Sequence, residues 1–430
     1  MNRMTKWRPP LWMVVVLMGC TLALGTGAGY VQGAASNSAG FISGGPNTGQ
    51  CTESAEVCSK FSNFWEVWNI AEERFLDPKA LNSDDMITGA INGMLDSLND
   101  RGHTRYQTAE EFERMQESLQ GEFEGIGAYI GTEGEYPTVT APIEGSPAEA
   151  AGIKAGDIIL SVNGESTRGL ELEEVVNKVR GKPGTTVTLE IQHLDQEAPV
   201  ELTVTRAAVN VPAVTWRMLP GKVGLIKLSQ FQEKATAELK RALKEAKEQG
   251  AEKLILDVRN NPGGLLNQAV SVTSQFLPEG EVLLRVRERD GTEDVYKTNE
   301  SNPETELPVV VLINQGSASS AEIFSGALQD YGRAKLIGVQ TPGAGSVLSP
   351  FQLDDGSAVY LGTAEWLTPK GRQIRNEGIE PDITVSLPLD VYPLTPTTAK
   401  DLSVEEIRQT EDTQIQRAYE ELGVDLSTAE

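Results

Sequence analysis

Two stretches of this chain have residue types and spacing suited to acyl transfer. The first is Gly316-Ser-Ala-Ser-Ser-Ala-Glu322, which follows the apolar run Val309–Ile313 and opens a helical pattern reaching Asp330. Small residues crowd this turn, so a substrate backbone could come close. A serine at a helix N-terminus also gains from the helix dipole, which favours developing negative charge. Helix capping is the competing use of such serines, and at least one of Ser317, Ser319 and Ser320 is expected to do only that. The second stretch is Asp257-Val-Arg-Asn-Asn-Pro-Gly-Gly264, between the apolar run Leu254–Val258 and a helical pattern over Leu265–Leu277. Its glycines let backbone N–H groups face a ligand, and an acyl-transfer oxyanion needs such preorganised donors. A plain strand–turn–helix connection is the alternative reading.

A serine nucleophile needs a base, and histidine is scarce. His103 lies in Asp100-Arg-Gly-His-Thr104, far upstream of the serine turn, and His193 ends the strand-like run Val187–Gln192. A histidine base is therefore not expected. Histidine scarcity and the cysteine spacing also leave no metal-ligand pattern, and no cofactor is expected.

The elements that would position these turns alternate. Strands are expected at Val223–Leu228, Leu254–Val258, Val309–Ile313, Lys335–Gly338, Val347–Leu353 and Ala358–Leu367. Helices are expected at Ala235–Gln249, Leu265–Leu277 and Ser319–Asp330. This pattern reads as an α/β domain with much parallel sheet. Upstream, Phe61 to Leu119 reads helical, with Phe64, Trp65 and Trp68 at helical spacing and a capping-box pattern at Thr108-Ala-Glu-Glu111. A small helical N-terminal domain with these aromatics in its core is expected.

Between them, Glu122 to Arg206 contains Gly125-Ile-Gly-Ala-Tyr-Ile130 and the long Gly145-Ser-Pro-Ala…Val-Asn-Gly164 run. The pair resembles a PDZ domain. That resemblance implies that Gly125, Ile126, Gly127 and Ala128 offer backbone N–H groups to a peptide's terminal carboxylate. The peptide would add as an edge strand, with Glu171–Arg180 as the flanking helix. A docked regulatory lid is the other use of such a domain.

The net charge of −25 over 430 residues disfavours nucleic acid and anionic membrane surfaces as partners. At the N-terminus, Arg3, Lys6 and Arg8 precede an apolar segment from Leu11 to about Val31, long enough to cross a bilayer. The basic flank keeps that end in the cytoplasm and sends the body to the extracytoplasmic side of a bacterial-type membrane. An uncleaved signal anchor and a signal peptide cut near Gly33-Ala-Ala35 both fit, so the body is membrane-anchored or secreted. A Ser/Gly/Asn-rich tether follows to Gln50. Cys51 and Cys58 are candidates for a disulfide in an oxidising compartment.

Together these segments resemble the C-terminal processing peptidases, a serine peptidase family of S41 type. The resemblance runs from about Phe61 to Val385 and closes with Thr368-Pro-Lys-Gly-Arg-Gln-Ile374 and Gly378-Ile-Glu-Pro-Asp-Ile383. It implies a multidomain α/β (α+β) protein: a crotonase- or Clp-like peptidase core, an inserted PDZ domain and a helical N-terminal domain. The implied layout is residues 1–33 signal segment, 34–59 linker, 60–120 helical domain, 122–206 PDZ domain, 207–390 peptidase core and 391–430 a partly helical tail. It implies Ser319 as nucleophile, with oxyanion N–H groups from Ser320 and the Gly263-Gly264 turn.

The family's general base is a lysine in a Thr-Phe-Gly-Lys-Gly loop. Here the loop is Thr341-Pro-Gly-Ala-Gly345, so Ala344 stands where the base should be and Leu348 where an orienting glutamine often stands. A lysine base works because burial keeps it neutral, and alanine takes no proton. Lys370, which stands where the family often has serine, is a candidate substitute base, with a solvated loop lysine as its plain reading. Lys335, Glu365 and Glu380 lie in neighbouring segments. The expected partners are protein or peptide substrates held by their C-termini. Oligomeric state is left open, a homo-oligomer included. The competing reading is a catalytically inactive pseudopeptidase acting as a PDZ adaptor.

Overall fold

The computed structural model describes residues 54–426, except 101–103, 134, 144, 155, 171, 195, 197, 389–390 and 400–401. The N-terminal apolar segment, the tether, Cys51 and His103 lie outside the described residues. Cys58 is disulfide-bonded. The chain divides into two units, residues 1–82 and 83–430.

In the smaller unit, Ser54 caps the helix Ala55–Arg74 by accepting from the Val57 N–H at 3.3 Å. Its aromatics were expected to form a core. They pack on one another instead, with Phe64 and Trp65 ring centroids 5.2 Å apart, and no residue of this helix is buried. The expected helical domain of residues 60–120 is also divided. The helices Ser83–Asp96 and Ala109–Gln120 belong to the larger unit. Between them the short strand Arg105–Gln107 pairs with Ala358–Leu367, which sews this segment into the core.

Residues 128–205 form an antiparallel sheet in the order Ala128–Glu133, Tyr136–Pro142, Ile158–Val162, Thr186–Gln192, Val200–Thr205. Alternation in Thr186–Gln192 sends Val187, Leu189 and Ile191 inward. The helix Leu172–Val179 adds Val175 and Val179 to the same core. A ribbon of Glu122–Gly125 with Ala207–Asn210 joins this domain to the rest.

The core sheet runs Val214–Leu219, Val223–Leu228, Lys253–Asp257, Val309–Ile313, Lys335–Gly338, Ile383–Thr384. All but the first pair are parallel. Val309, Val311 and Ile313 face the cluster shared with the helices Ala235–Glu248, Leu266–Thr273 and Ser320–Asp330. Val310 and Leu312 face the other side, where Ile407, Ile415, Ala418 and Tyr419 cover them. Burial on both faces explains the unbroken apolar runs. The expected tail is thus a packed layer, built on helices Val404–Arg408 and Thr413–Glu421. A second sheet contains Ala358–Leu367, Ser346–Gln352 and a hairpin of Val282–Glu288 with Glu293–Lys297.

Ile415 is fully buried against that sheet face. Ile415→Ala is expected to lower stability by about 3 kcal/mol in urea unfolding. A change below about 0.5 kcal/mol would mean that the C-terminal helices are peripheral.

Candidate active site

Parallel strands deliver their following turns to one edge of a sheet, where α/β proteins place ligand sites. Here Lys253–Asp257, Val309–Ile313 and Lys335–Gly338 are adjacent strands. Their outgoing turns carry Asn260–Gly264, Gly316–Ser319 and Thr341–Gly345 to the same edge.

In the serine turn the three hydroxyls divide their work. Ser317 donates to the Val258 carbonyl at 2.8 Å and accepts from the Asn314 N–H at 2.9 Å. Ser320 donates to the Gly264 carbonyl at 3.0 Å. Both are ties between turns. Ser319 is half-buried and sits at φ 53°, ψ −113°, immediately before the helix Ser320–Asp330. A non-glycine residue there carries about 1–3 kcal/mol of strain. Among the described residues, no lysine, histidine or carboxylate is hydrogen-bonded to its Oγ.

The glycine turn lies against it. Gly263 has φ 98°, and a Cβ there would stand 2.8 Å from Ser319 Cβ and 3.0 Å from Ser320 N. Only glycine permits that approach. Its N–H, expected to serve the oxyanion, instead donates to Asn261 Oδ1 at 2.9 Å. Asn261 also donates to the Leu228 carbonyl at 2.8 Å, and its own carbonyl accepts from Ala318 at 2.9 Å. Among the described residues, the N–H groups of Gly264 and Ser320 have no acceptor. Gly264 and Ser320 are therefore the N–H groups of these turns left without an acceptor among the described residues.

The third turn is tied to the second by Glu322, whose central role sequence spacing did not reveal. Its fully buried carboxylate accepts from the Ser319 N–H (2.8 Å), Gly343 N–H (2.7 Å), Ala344 N–H (2.8 Å) and Thr341 hydroxyl (2.6 Å). Burial pushes its pKa above the ordinary carboxylate range, and these four donors work against that push. Ala344 is 7% exposed, so its side chain meets protein rather than solvent. Gly345 packs so closely on the next loop that a Cβ would lie 2.2 Å from Arg375 N. Leu348 is half-buried and pairs across the strands with Gly362, beside a register shift.

Lys370 is not brought to Ser319. Its N–H donates to Asp330 Oδ2 at 2.8 Å, and Asp330 ends the 11-residue helix that Ser319 precedes. That separation is about 16 Å, beyond one lysine side chain. Glu380 is at the same far end, its carbonyl held by Gln329. Lys335 pairs with Asp382 at the opposite edge of the sheet. Glu365 is opposite Ser346 in register, but Arg287 donates to it at 3.0 Å. Lys227 is the lysine whose pKa burial pulls down, with the neighbouring Asp257 opposing that pull. Its Nζ donates to the Arg259 carbonyl at 2.7 Å, two strands from the one that feeds Ser319.

A polar cluster missed in the sequence borders the alanine loop. Asp100 accepts from Thr104 (2.7 Å), Ser346 (3.1 Å) and Arg375 (2.9 Å), and Gly362 N–H donates to Thr104 Oγ1 (3.0 Å). The three partners lie up to 275 residues away, a separation that no local pattern encodes. The chain thus brings both ends of Asp100–Thr104 to the strands leaving the loop. His193 instead is buried in the 128–205 domain against Asp157 at 2.7 Å.

That domain carries its own groove. Ala128–Glu133 is an edge strand, and Phe123, Ile126, Ala128, Ile130, Val176 and Val179 are among the residues around a cavity of about 240 Å³. The Ile126 and Gly127 carbonyls accept from Ala148 and Ile143. Their N–H groups have no acceptor among the described residues.

Glu322→Gln replaces an acceptor of four donors with a group that itself donates. It is expected to lower stability by about 2–4 kcal/mol, since buried donors lose their acceptor. Urea unfolding checks this, and a change under about 0.5 kcal/mol would refute the role given to Glu322.

Comparison with known proteins agrees with this geometry. Residues 222–385 match peptidase family S41, and residues 138–193 match a PDZ domain family. The probable CtpA-like serine protease of Staphylococcus aureus strain MRSA252 is 40% identical over 324 residues, covering 74% of this chain and 64% of that protein. Its counterpart in Staphylococcus epidermidis is 39% identical over 311 residues, covering 72% and 62%. The chain therefore spans less than two thirds of these relatives' length. A putative S41 protease from Bacteroides fragilis shares the fold, with a TM-score of 0.56 at 18% identity, covering 98% of this chain and 99% of that one. Residues 222–385 thus carry a peptidase family S41 domain and residues 138–193 a PDZ domain, in a chain similar to CtpA-like serine proteases.

Proposed function

We propose that this chain is an extracytoplasmic serine endopeptidase that selects substrates by their C-termini. One observation carries the reading: Ser319 is held in a strained conformation immediately before Ser320, whose N–H is uncommitted and whose hydroxyl is tied to Gly264, the other uncommitted N–H. In the proposed reaction, Ser319 Oγ attacks the scissile carbonyl. The two N–H groups stabilise the oxyanion, the amine leaves, and water releases the acyl group. The PDZ groove holds the substrate's end as an added strand along Ala128–Glu133, with its carboxylate at the Ile126 and Gly127 N–H groups.

The proton acceptor is the open part of the mechanism. Ala344 and Leu348 favour a second reading, a peptide-binding pseudopeptidase. Among the described residues no lysine stands in for the lost one. General-base help is worth roughly 10²–10⁴-fold, so a chain without any base would be slow rather than inert. Among the described residues no helix is long and apolar enough to cross a membrane. The proposed anchor rests on residues 11–31 of the sequence.

The deciding experiment compares the wild-type chain with Ser319→Ala on peptides ending in small apolar residues. Wild-type cleavage that Ser319→Ala abolishes supports the peptidase. Equal rates, with peptide binding intact, leave the adaptor. If cleavage is seen, the pH dependence of kcat/KM identifies the base. A rise through about pH 6.5 reports an imidazole. His103, next in sequence to Thr104, would then be the side chain to change, as His103→Asn. Installing Ala344→Lys with Leu348→Gln is expected to raise kcat and to move this rise towards the pKa of a buried lysine.

The groove has a separate readout. Capping a peptide's C-terminus as the amide removes charge-assisted bonds to the loop, each about 1.5–3 kcal/mol. Affinity is therefore expected to fall about 10- to 100-fold in direct binding measurements. Unchanged affinity would refute carboxylate recognition.

A further inference from the structure

The residues just before the glycine turn hold a buried charge cluster that the proposed mechanism does not use. Arg259, Asp257 and Asp412 are all buried. The Arg259 guanidinium donates to both Asp257 oxygens at 3.0 and 2.9 Å. It also donates to both Asp412 oxygens at 3.1 and 2.8 Å, to Gln414 Oε1 at 2.9 Å and to the Leu394 carbonyl at 3.1 Å. Asp412 in turn accepts the Leu394 N–H at 2.8 Å and caps the helix Thr413–Glu421. Lys227 Nζ lies 3.5 Å from Asp257 Oδ1, at the edge of the cluster.

Three of these partners come from residues 394–414, beyond the end of the S41 match at residue 385. We infer that this C-terminal segment is a positioning element for the oxyanion donors, acting through Arg259. The inference rests on the proposed acyl-transfer reading.

The path is short and continuous. Arg259 is fixed at three points: its N–H on Asp257 (2.9 Å), its guanidinium on the C-terminal segment, and its carbonyl under Lys227 (2.7 Å). Asn260 follows at φ 56° and exchanges hydrogen bonds with Asn314, 2.8 Å in both directions. Asn261 then binds Gly263 N–H through its side chain and Ala318 N–H through its carbonyl. The Gly264 donor and the residue preceding Ser319 therefore hang from one backbone segment, whose root is clamped by Asp412. A shift there moves both the donor and the nucleophile. Reaction geometry is sensitive on this scale, with a misplacement of about 1 Å able to lower rates about 10²-fold.

The test uses the full chain carrying Asp412→Asn, which removes one of the two carboxylates that face Arg259. A milder Gln414→Leu removes a single acceptor, in case the first variant folds poorly. Amide hydrogen exchange of the segment 258–266 is read beside that of 125–130, together with kcat and KM. The expected result is exchange at least ~10-fold faster in 258–266 alone, with kcat lowered about 10- to 100-fold at unchanged KM. Unchanged exchange at 258–266 in a folded variant overturns the inference. So does faster exchange with unchanged kcat, which marks a purely structural clamp. If the wild type itself shows no Ser319-dependent cleavage, the peptidase reading fails, and exchange alone decides whether Asp412 positions the turn.

Discussion

The site depends on one buried anion. Glu322 sits in the first turn of its helix, where the positive end of the dipole favours a carboxylate. Among the described residues it has no cationic partner, so its charge is met by four hydrogen-bond donors. A buried charge is tolerated only with such satisfaction. One donor is the Ser319 N–H, and the others come from the Thr341–Ala344 loop. A single carboxylate therefore sets both the Ser319 backbone and the loop that carries Ala344. It also takes up the Ser319 N–H, so the next one, of Ser320, is the first in the helix left to face a substrate.

Around this anchor the sheet supplies only coarse placement. Parallel register brings three turns to one edge, but their fine spacing comes from side-chain ties across them. Ser317 and Ser320 bridge two turns through their hydroxyls, and the Asn261 side chain braces the glycine turn from within while its backbone carbonyl accepts from Ala318. Polar residues of this kind lie in an otherwise apolar interior, where each bond is worth more and each broken one costs more. The site is thus rigid for the same reason that it is sensitive to substitution.

Much of the fold was legible because its periodicities are local. The runs Val223–Leu228 and Val309–Ile313 are buried on both faces and contain little else, and the PDZ glycines punctuate its strands. The hairpin Val282–Lys297 was missed because Arg285, Arg287, Glu288 and Glu293 mask its alternation, one strand being wholly exposed. The packing of the partly helical tail was not legible, because Ile415, Ala418 and Tyr419 form a sparse apolar stripe whose partner strands lie far upstream. In the site, the serine and glycine turns could be read from residue type. The choice of Gly264 over Gly263 could not, since it turns on where the Asn261 side chain points. Lys370 looked close because the sequence hides that a whole helix separates it from Ser319.

The geometry also changes which residue bears on activity. The order of the loop at 341–345 is not in itself a sign of a new base there. Ala344 is tied through its backbone N–H, which any residue but proline provides. The loop would keep its shape whether or not its side chain did chemistry, so its order says nothing about catalysis. Ser319 is different. Its positive φ opposes the preference of every L-residue with a Cβ, and glycine would relieve that strain at no cost to the Glu322 bond. Ser317 and Ser320 use their hydroxyls to hold the turns, whereas Ser319 caps the helix with Glu322, which an unstrained residue could also do. A strained serine next to a turn with uncommitted N–H groups suits acyl transfer, and a peptide-binding scaffold has no need of it. This weighs towards the peptidase reading more than Ala344 weighs against it.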